Sequence, residues 1–259
     1  MNRKFHFTKI AWRSELGLHR EGNEDSGLIS QRIIAVADGM GGYAGGEIAS
    51  STAIKALANL VPVLTHEELD SDSRDDLYRT SITTMDQAIA GVVSQRPEIS
   101  GMGTTLTSLA LFDDQISLLH VGDSRAYRIR GKKITQLSHD HTVVQELIDQ
   151  GRLTPDEIDT HPQRSFLTQA LMGNENLSPV LLAFPVEEGD IYLLCSDGLT
   201  NVLDDGKIAS AFKEELQVAV DSLIDLTYKG GAPDNVTVIA AIVGTKEVDI
   251  STTAIGAAQ

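Results

Sequence analysis

Short runs of β-branched and other apolar residues alternate along the chain with longer stretches in which apolar positions recur every three or four residues. Six runs read as strands: Ile33–Ala37, Thr104–Phe112, Ile116–Val121, Ala126–Arg130, Ile191–Cys195 and Val236–Val243. Their length and β-branched content suit strands buried on one or both faces. Helices are predicted over Glu47–Leu60, ending before Pro62, and over Asp75–Ser94, ending before Pro97. In the second, Leu77, Ile82, Met85, Ile89 and Val93 follow a helical period and are expected in the core. A third helix, Leu216–Tyr228, is stopped by Gly230 and Gly231, as a helix C-terminus prefers.

The stretch from Ser138 to Gly173 breaks this rhythm. It reads as a helix over Val143–Gln150 stopped by Gly151, then Thr154-Pro155-Asp156-Glu157, a capping-box tetrad with proline at the first helical position. Helices interrupting a run of strands imply an inserted helical flap. Residues 244–259 are small and polar and are expected to form a disordered tail. That leaves 1–243 as one domain, with no repeat and no Pro/Gly/Ser linker to divide it.

Apolar residues make up 41% of the 259 positions, enough for a substantial core. Against 21 basic residues stand 37 acidic ones, a net charge of −16. Such a surface repels phosphate-rich partners and speaks against nucleic acid or anionic membranes. Cys195, alone of its kind, excludes an internal disulfide and reads as a buried strand thiol. Met1–Ile10 lacks an apolar signal core, and no run reaches the roughly 18 apolar residues that span a bilayer. A cytoplasmic location is expected, either as a free protein or as the cytoplasmic domain of a longer membrane-anchored one.

Candidate chemistry appears where apolar runs end. Ile33–Ala37 runs into Asp38-Gly39, Ile116–Val121 into Gly122-Asp123-Ser124, and Ile191–Cys195 into Ser196-Asp197-Gly198, while Asp234-Asn235 precedes Val236–Val243. Each pair alone reads more readily as a turn than as a site. Four together suggest a common mouth, because strand ends are where a rigid scaffold presents side chains. Carboxylates gathered there would repel one another unless hard cations sat between them. Oxygen-only ligands select Mg2+, Mn2+ or Ca2+ over zinc. Spacing alone does not show that the four strands converge.

The resemblance that supplies convergence is to the type 2C protein phosphatases, in particular their bacterial branch. It rests on Gly17-Leu18-His19-Arg20-Glu21-Gly22-Asn23-Glu24-Asp25, Val36-Ala37-Asp38-Gly39-Met40-Gly41-Gly42 and Gly101-Met102-Gly103-Thr104-Thr105. Val121-Gly122-Asp123-Ser124-Arg125, Cys195-Ser196-Asp197-Gly198-Leu199 and Gly231-Ala232-Pro233-Asp234-Asn235-Val236-Thr237 complete it. Six blocks in the family's order form a specific signal. The likeness implies an α+β fold: two antiparallel β-sheets packed as a central sandwich, flanked by helices on both sides.

It also implies roles. Asp38 would bridge two metal ions, Mn2+ or Mg2+, with the Gly39 carbonyl as a further ligand. Asp197 and Asp234 would complete the first ion's shell, Glu24 would hold the second largely through water, and Asp25 would orient metal-bound water. Asp123, with Asp197, would form a third ion site, and Arg20 would grip the substrate phosphate. A water bridging two divalent ions has a pKa low enough to supply hydroxide near neutral pH. The same ions would neutralise the phosphoryl oxygens, which answers how so acidic a protein could accept a phosphorylated substrate. The implied activity is hydrolysis of phosphoserine and phosphothreonine on proteins by a monomeric enzyme, opposing bacterial Ser/Thr kinases. One expected part is missing. Many relatives carry a proton-donating His where this chain has Met40, and others where it has Tyr43. His139, His141 and His161 lie in or beside the flap and read as solvated or structural, so the general acid is unassigned.

Three rival readings remain. Gly39-Met40-Gly41-Gly42-Tyr43-Ala44 fits a loose dinucleotide fingerprint, but the following region, Val61-Pro62-Val63, is broken by proline where a second strand is required. Gly122-Asp123-Ser124-Arg125-Ala126 approaches a serine-hydrolase elbow, yet Ala126–Arg130 reads as strand where a helix must follow. A catalytically silent adaptor on the same fold is opposed by the full set of acidic ligands.

Overall fold

The apolar runs pair across two antiparallel sheets. The computed structural model describes residues 5–42, 45–174 and 177–259. In chain order the strands are β1 (His6–Glu15), β2 (Asp25–Ile29), β3 (Ile33–Met40), β4 (Gly103–Thr104), β5 (Leu106–Phe112) and β6 (Gln115–Val121). They continue with β7 (Arg125–Arg130), β8 (Lys133–Gln136), β9 (Val180–Pro185), β10 (Ile191–Cys195), β11 (Val236–Gly244) and β12 (Thr253–Gly256). The helices are α1 (Gly45–Leu64), α2 (Ser71–Gln95), α3 (Val143–Asp149), α4 (Asp197–Thr200), α5 (Asp205–Ala211) and α6 (Leu216–Lys229).

One sheet runs β1-β11-β10-β7-β8; the other runs β12-β2-β3-β5-β6-β9, with β4 paired beside β3. The strand runs are apolar without alternation because both faces of each sheet are covered. In β3, Ile34 and Val36 point into the space between the sheets with Leu109, Leu118, Leu194 and Ile239. Ile33, Ala35 and Ala37 point the other way, against Ile54 and Leu57 of α1 and Met85 and Ile89 of α2. In β10, Leu194 faces inward, whereas Leu193 and Cys195 pack outward on Leu216, Val220 and Leu223 of α6. The result is the helix–sheet–sheet–helix layering expected from the resemblance.

Several boundaries differ from the sequence reading. α1 carries Pro62 inside its last turn rather than stopping before it. Val61 and Leu64 are buried there, and Thr65 donates from both backbone N and Oγ1 to the Val61 carbonyl, closing the turn without the proline's missing N–H. The predicted strand Thr104–Phe112 is split at Thr105 into β4 and β5. Strand β1 carries little signal in the sequence because only one of its faces is apolar and charged residues occupy the other; β2 carries little because it begins Asp-Ser-Gly.

The 138–173 segment connects the two sheets, from β8 to β9. It holds α3 and, after the Thr154–Glu157 capping box, a 3-10 turn over Pro155–Thr160 instead of a second α-helix. The expectation of a disordered tail over 244–259 is corrected: Thr253–Gly256 adds strand β12 to the edge of β2. Ile255 is fully buried and Ala258 nearly so, and their burial supplies the apolar anchoring that the tail's small-residue composition hides.

Candidate active site

The strand ends that carry the aspartates lie at one mouth of the sandwich. Asp25 opens β2 and stands directly opposite Asp38 of β3 in the antiparallel register. The β10 strand delivers Ser196 and Asp197 beside them, and β11 begins just after Asp234-Asn235. Asp123 follows β6 in the tight connection to β7. Asp25, Asp123, Asp197 and Asp234 all press their charge on Asp38, whose carboxyl is held well above the usual carboxylate range, first by burial and then by these neighbours. The convergence that spacing could not show is present.

Asp25, Asp123, Asp197 and Glu24 bear the same signature. Burial lifts the Asp25 carboxyl to about 7, with Asp197 and Asp234 adding to the effect. Burial lifts Asp123 to about 8, aided by Asp197 and Asp140. Asp197 is raised by burial and by Asp234, and its Oδ2 accepts from Asn201 Nδ2 at 3.0 Å. Glu24 is half-buried and raised chiefly by desolvation, partly offset by Arg20. Arg20 is exposed at the rim and donates from Nη2 to Asp234 Oδ2 at 2.6 Å. The structure therefore places Arg20 on a carboxylate of the mouth.

Backbone around the cluster is tightly determined. Asp38 N–H donates to Thr105 Oγ1 at 2.9 Å, while its carbonyl accepts from Thr105 N at 2.9 Å and Thr104 Oγ1 at 2.9 Å. Gly39 leaves no room for a side chain, since a Cβ there would run into the Gly46 carbonyl at the start of α1. Asn235 is buried and ties the 16–24 loop to β11. Its Oδ1 accepts from Glu24 N at 2.9 Å, and its Nδ2 donates to the carbonyls of Leu16 at 2.8 Å and Gly22 at 3.0 Å. Under Asp25, Ser196 Oγ donates to Oδ2 at 2.7 Å and accepts from Thr237 N at 2.9 Å. With Asn23, whose Oδ1 accepts from Asp25 N at 3.0 Å, Thr104, Thr105, Ser196, Asn235 and Thr237 thus fix the acids in place. All six stand in the sequence blocks already singled out, where polar residues next to apolar strands were the available signal, but none was given a role.

Asp25 Oδ1 is buried and has no hydrogen-bond partner, an arrangement that costs free energy unless something charged compensates it. Among the described residues no three or more His, Cys, Asp or Glu side chains are gathered closely enough to hold a metal ion as they stand, and Asp234 is engaged by Arg20. An orphaned buried carboxylate oxygen, an all-oxygen donor set and several acids raised by one another's charge fit small hard divalent cations.

The other sequence candidates fall outside this cluster or in other roles. His139 Nε2 lies 2.7 Å from Asp149 Oδ2, His141 Nδ1 accepts from Gly122 N at 3.1 Å, and His161 Nδ1 accepts from Gln163 N at 3.2 Å. Each has a local structural partner. Met40 is partly buried at the end of β3, and Tyr43 lies outside the described residues. Ser124 is fully buried, bonds Thr105 Oγ1 at 2.6 Å and leads into strand β7, which removes the hydrolase-elbow reading. The dinucleotide fingerprint, whose Tyr43 and Ala44 lie outside the described residues, is followed by helices α1 and α2 and not by a second strand.

Comparison with known proteins gives the following. A family model for protein phosphatase 2C matches residues 23–224. The chain is 43% identical over 236 residues to the serine/threonine protein phosphatase PstP of Mycobacterium tuberculosis, covering 90% of this chain and 44% of that protein. It is 32% identical over 248 residues to protein phosphatase PhpP of Streptococcus pneumoniae, covering 93% of this chain and 99% of that one. The chain therefore spans less than half the length of PstP but nearly all of PhpP. The crystal structure of M. tuberculosis PstP superposes with a TM-score of 0.84 at 42% identity, over 90% of this chain and 97% of that one. The PstP catalytic domain in complex with two manganese ions superposes with a TM-score of 0.83 at 40% identity, over 92% of this chain and 99% of that one.

Proposed function

Because the chain belongs to the protein phosphatase 2C family, we propose that it hydrolyses phosphoserine and phosphothreonine on proteins, using two Mn2+ or Mg2+ ions and a third beside them. Asp38, the Gly39 carbonyl, Asp197 and Asp234 would hold the first ion, with Asp38 shared by the second. Glu24 and Asp25 would serve the second ion, and Asp123 with Asp197 the third. When bound, the ions would supply Lewis acidity to water and positive charge to the phosphoryl oxygens. The observation that carries this reading is the convergence of Asp25, Asp123, Asp197 and Asp234 on Asp38 at one mouth, with Asp25 opposite Asp38 and its Oδ1 buried without a partner.

The chain's own residues do the rest. Thr104 and Thr105 fix the Asp38 backbone, and Ser196 and Thr237 orient Asp25. Arg20, held at the rim by Asp234, presents a planar guanidinium able to grip a phosphate with two parallel hydrogen bonds once Asp234 is engaged elsewhere. Each such charge-assisted bond contributes about 1.5–3 kcal/mol. The expected substrates are phosphorylated proteins, among them Ser/Thr kinases and their targets. No helix among the described residues is long and apolar enough to cross a membrane, and we place the enzyme in the cytoplasm, as a monomer.

Phosphate release from a phosphothreonine peptide, with Mn2+ and with chelator, tests the reading. Activity is expected only with the metal. Asp38→Ala should lower turnover by at least about 10³-fold while the protein still folds, since the ions carry most of the electrostatic stabilisation. A well-folded Asp38→Ala protein with near-normal activity would end the assignment.

A further inference from the structure

Strand β12 lies in the part of the chain that the family model does not reach, yet it touches the candidate site directly. After β11 the backbone crosses from one sheet to the other, with Gln31 Nε2 donating to the Val248 carbonyl at 2.7 Å on the way. Thr253–Gly256 then pairs with Ile29–Ser26, so that β2 becomes an interior strand. Ile255 enters the space between the sheets, filling the volume that a side chain on Gly27 would need, and Ala258 packs on the α1 side. Between these two anchors, Ala257 N–H donates to the Asp25 carbonyl at 2.8 Å. Gly256, at φ +67°, lies so close beneath that carbonyl that a Cβ would collide with it. Asp25 is therefore clamped on its main chain by β12, on its N–H by Asn23 Oδ1 at 3.0 Å and on its side chain by Ser196.

We propose that the C-terminal strand is a positioning element of the cation site: Gly256 and Ala257 fix the Asp25 backbone opposite Asp38, and displacing them weakens divalent-cation binding. The inference rests on the phosphatase reading for the identity of the cation. Coupling of this kind is reciprocal. A strand that favours the cation when docked must dock more firmly when the cation binds. Ile255 and Ala258 hold the strand in the core independently of the Ala257 hydrogen bond, so the clamp can be loosened without removing its anchors.

The test uses the full chain and Mn2+. Calorimetric titration should show that Ala257→Pro, which removes the N–H and sets the ring Cδ against the Asp25 carbonyl while leaving both anchors, binds Mn2+ at least about five-fold more weakly than the parent. Its kcat at saturating Mn2+ should stay within two-fold. Hydrogen exchange on the unaltered protein supplies the second measurement, in which the amides of 253–259 should slow when Mn2+ is added. Equal Mn2+ affinity in the two proteins, or exchange of 253–259 indifferent to saturating Mn2+, would overturn the positioning role. Failure of the parent to bind Mn2+ at all would instead overturn the phosphatase reading beneath it.

Discussion

Strand β10 has a carboxylate beside each end, and the two could hardly be kept more differently. Asp190, just before the strand, is fully buried and fully partnered. It accepts from Arg130 Nε and Nη2 at 2.6 Å each, from Glu187 N at 2.9 Å and from the Tyr192 hydroxyl at 3.3 Å. About 20 Å away along the strand, Ser196 and Asp197 open onto a mouth where Asp25 keeps one oxygen without a partner and Asp38 carries the crowded charge of Asp25, Asp197, Asp123 and Asp234. A carboxylate that serves the fold brings its own cation and donors. Carboxylates that serve a ligand are packed against one another, and the free energy that costs is recovered when the ligand arrives.

The comparison breaks most visibly at Asp190. Asp190→Ala strips Arg130, Glu187 N–H and the Tyr192 hydroxyl of a common acceptor. Arg130 keeps Glu187 and the Pro185 carbonyl as partners, so the cost should sit near the low end for a broken buried pair, about 3 kcal/mol. Melting should fall by about 6–12 °C, while Mn2+-dependent turnover at 25 °C stays within two-fold. A variant of unchanged melting temperature but lost activity would reverse the roles assigned to the two ends of β10.

A smaller effect is expected from pH. The Asp25 and Asp123 carboxyls are raised to about 7 and about 8, so the folded chain holds protons that the unfolded chain has already released. Stability from such groups is full below the unfolded carboxylate value and is lost as pH rises through the folded values. His120, whose value burial depresses to about 3, works in the opposite sense but only below its ordinary value near 6.5. The window from pH 6.5 to 8 therefore isolates the acids. In chelator, stability should drop there by about 2 kcal/mol, or about 4–8 °C in melting temperature. Excess Mn2+ should flatten the slope. A chelated protein whose melting is level across this window would show that the mouth does not retain protons.

How much of this was legible beforehand follows from the same contrast. Asp38, Asp123, Asp197 and Asp234 could be found because each interrupts or adjoins an apolar run, a local signal. Their convergence needed the family likeness, because the packing of one sheet's β3 against the other sheet's β10 leaves no mark in spacing. Ser196, Thr237 and Asn235 could not be given roles, since a buried hydroxyl or amide is identified by its partners, and those come from other strands. β12 was missed for a related reason. Its strand character comes from the waiting edge of β2 and from burial of Ile255 and Ala258, and hardly at all from its own composition. α1 ran past Pro62 because tertiary packing of Val61 and Leu64 outweighed a local stop signal.

The finest test of the contrast lies one hydroxyl away from the orphaned oxygen. Ser196 Oγ donates to Asp25 Oδ2 and accepts from Thr237 N. Ser196→Ala removes a donor that favours the ionised carboxyl and strands a buried backbone N–H. The general loss should be about 1 kcal/mol. Its pH dependence is the informative part. Without the hydroxyl, the Asp25 value moves further up, so the variant's deficit in chelator should be larger at pH 8, where Asp25 must ionise, than at pH 6.5, where it remains protonated. Saturating Mn2+ should narrow the difference, because the charge on Asp25 is then compensated from outside the chain. A deficit equal at both pH values, and equal with and without Mn2+, would make Ser196 an ordinary core hydroxyl and place Asp25 in the same class as Asp190.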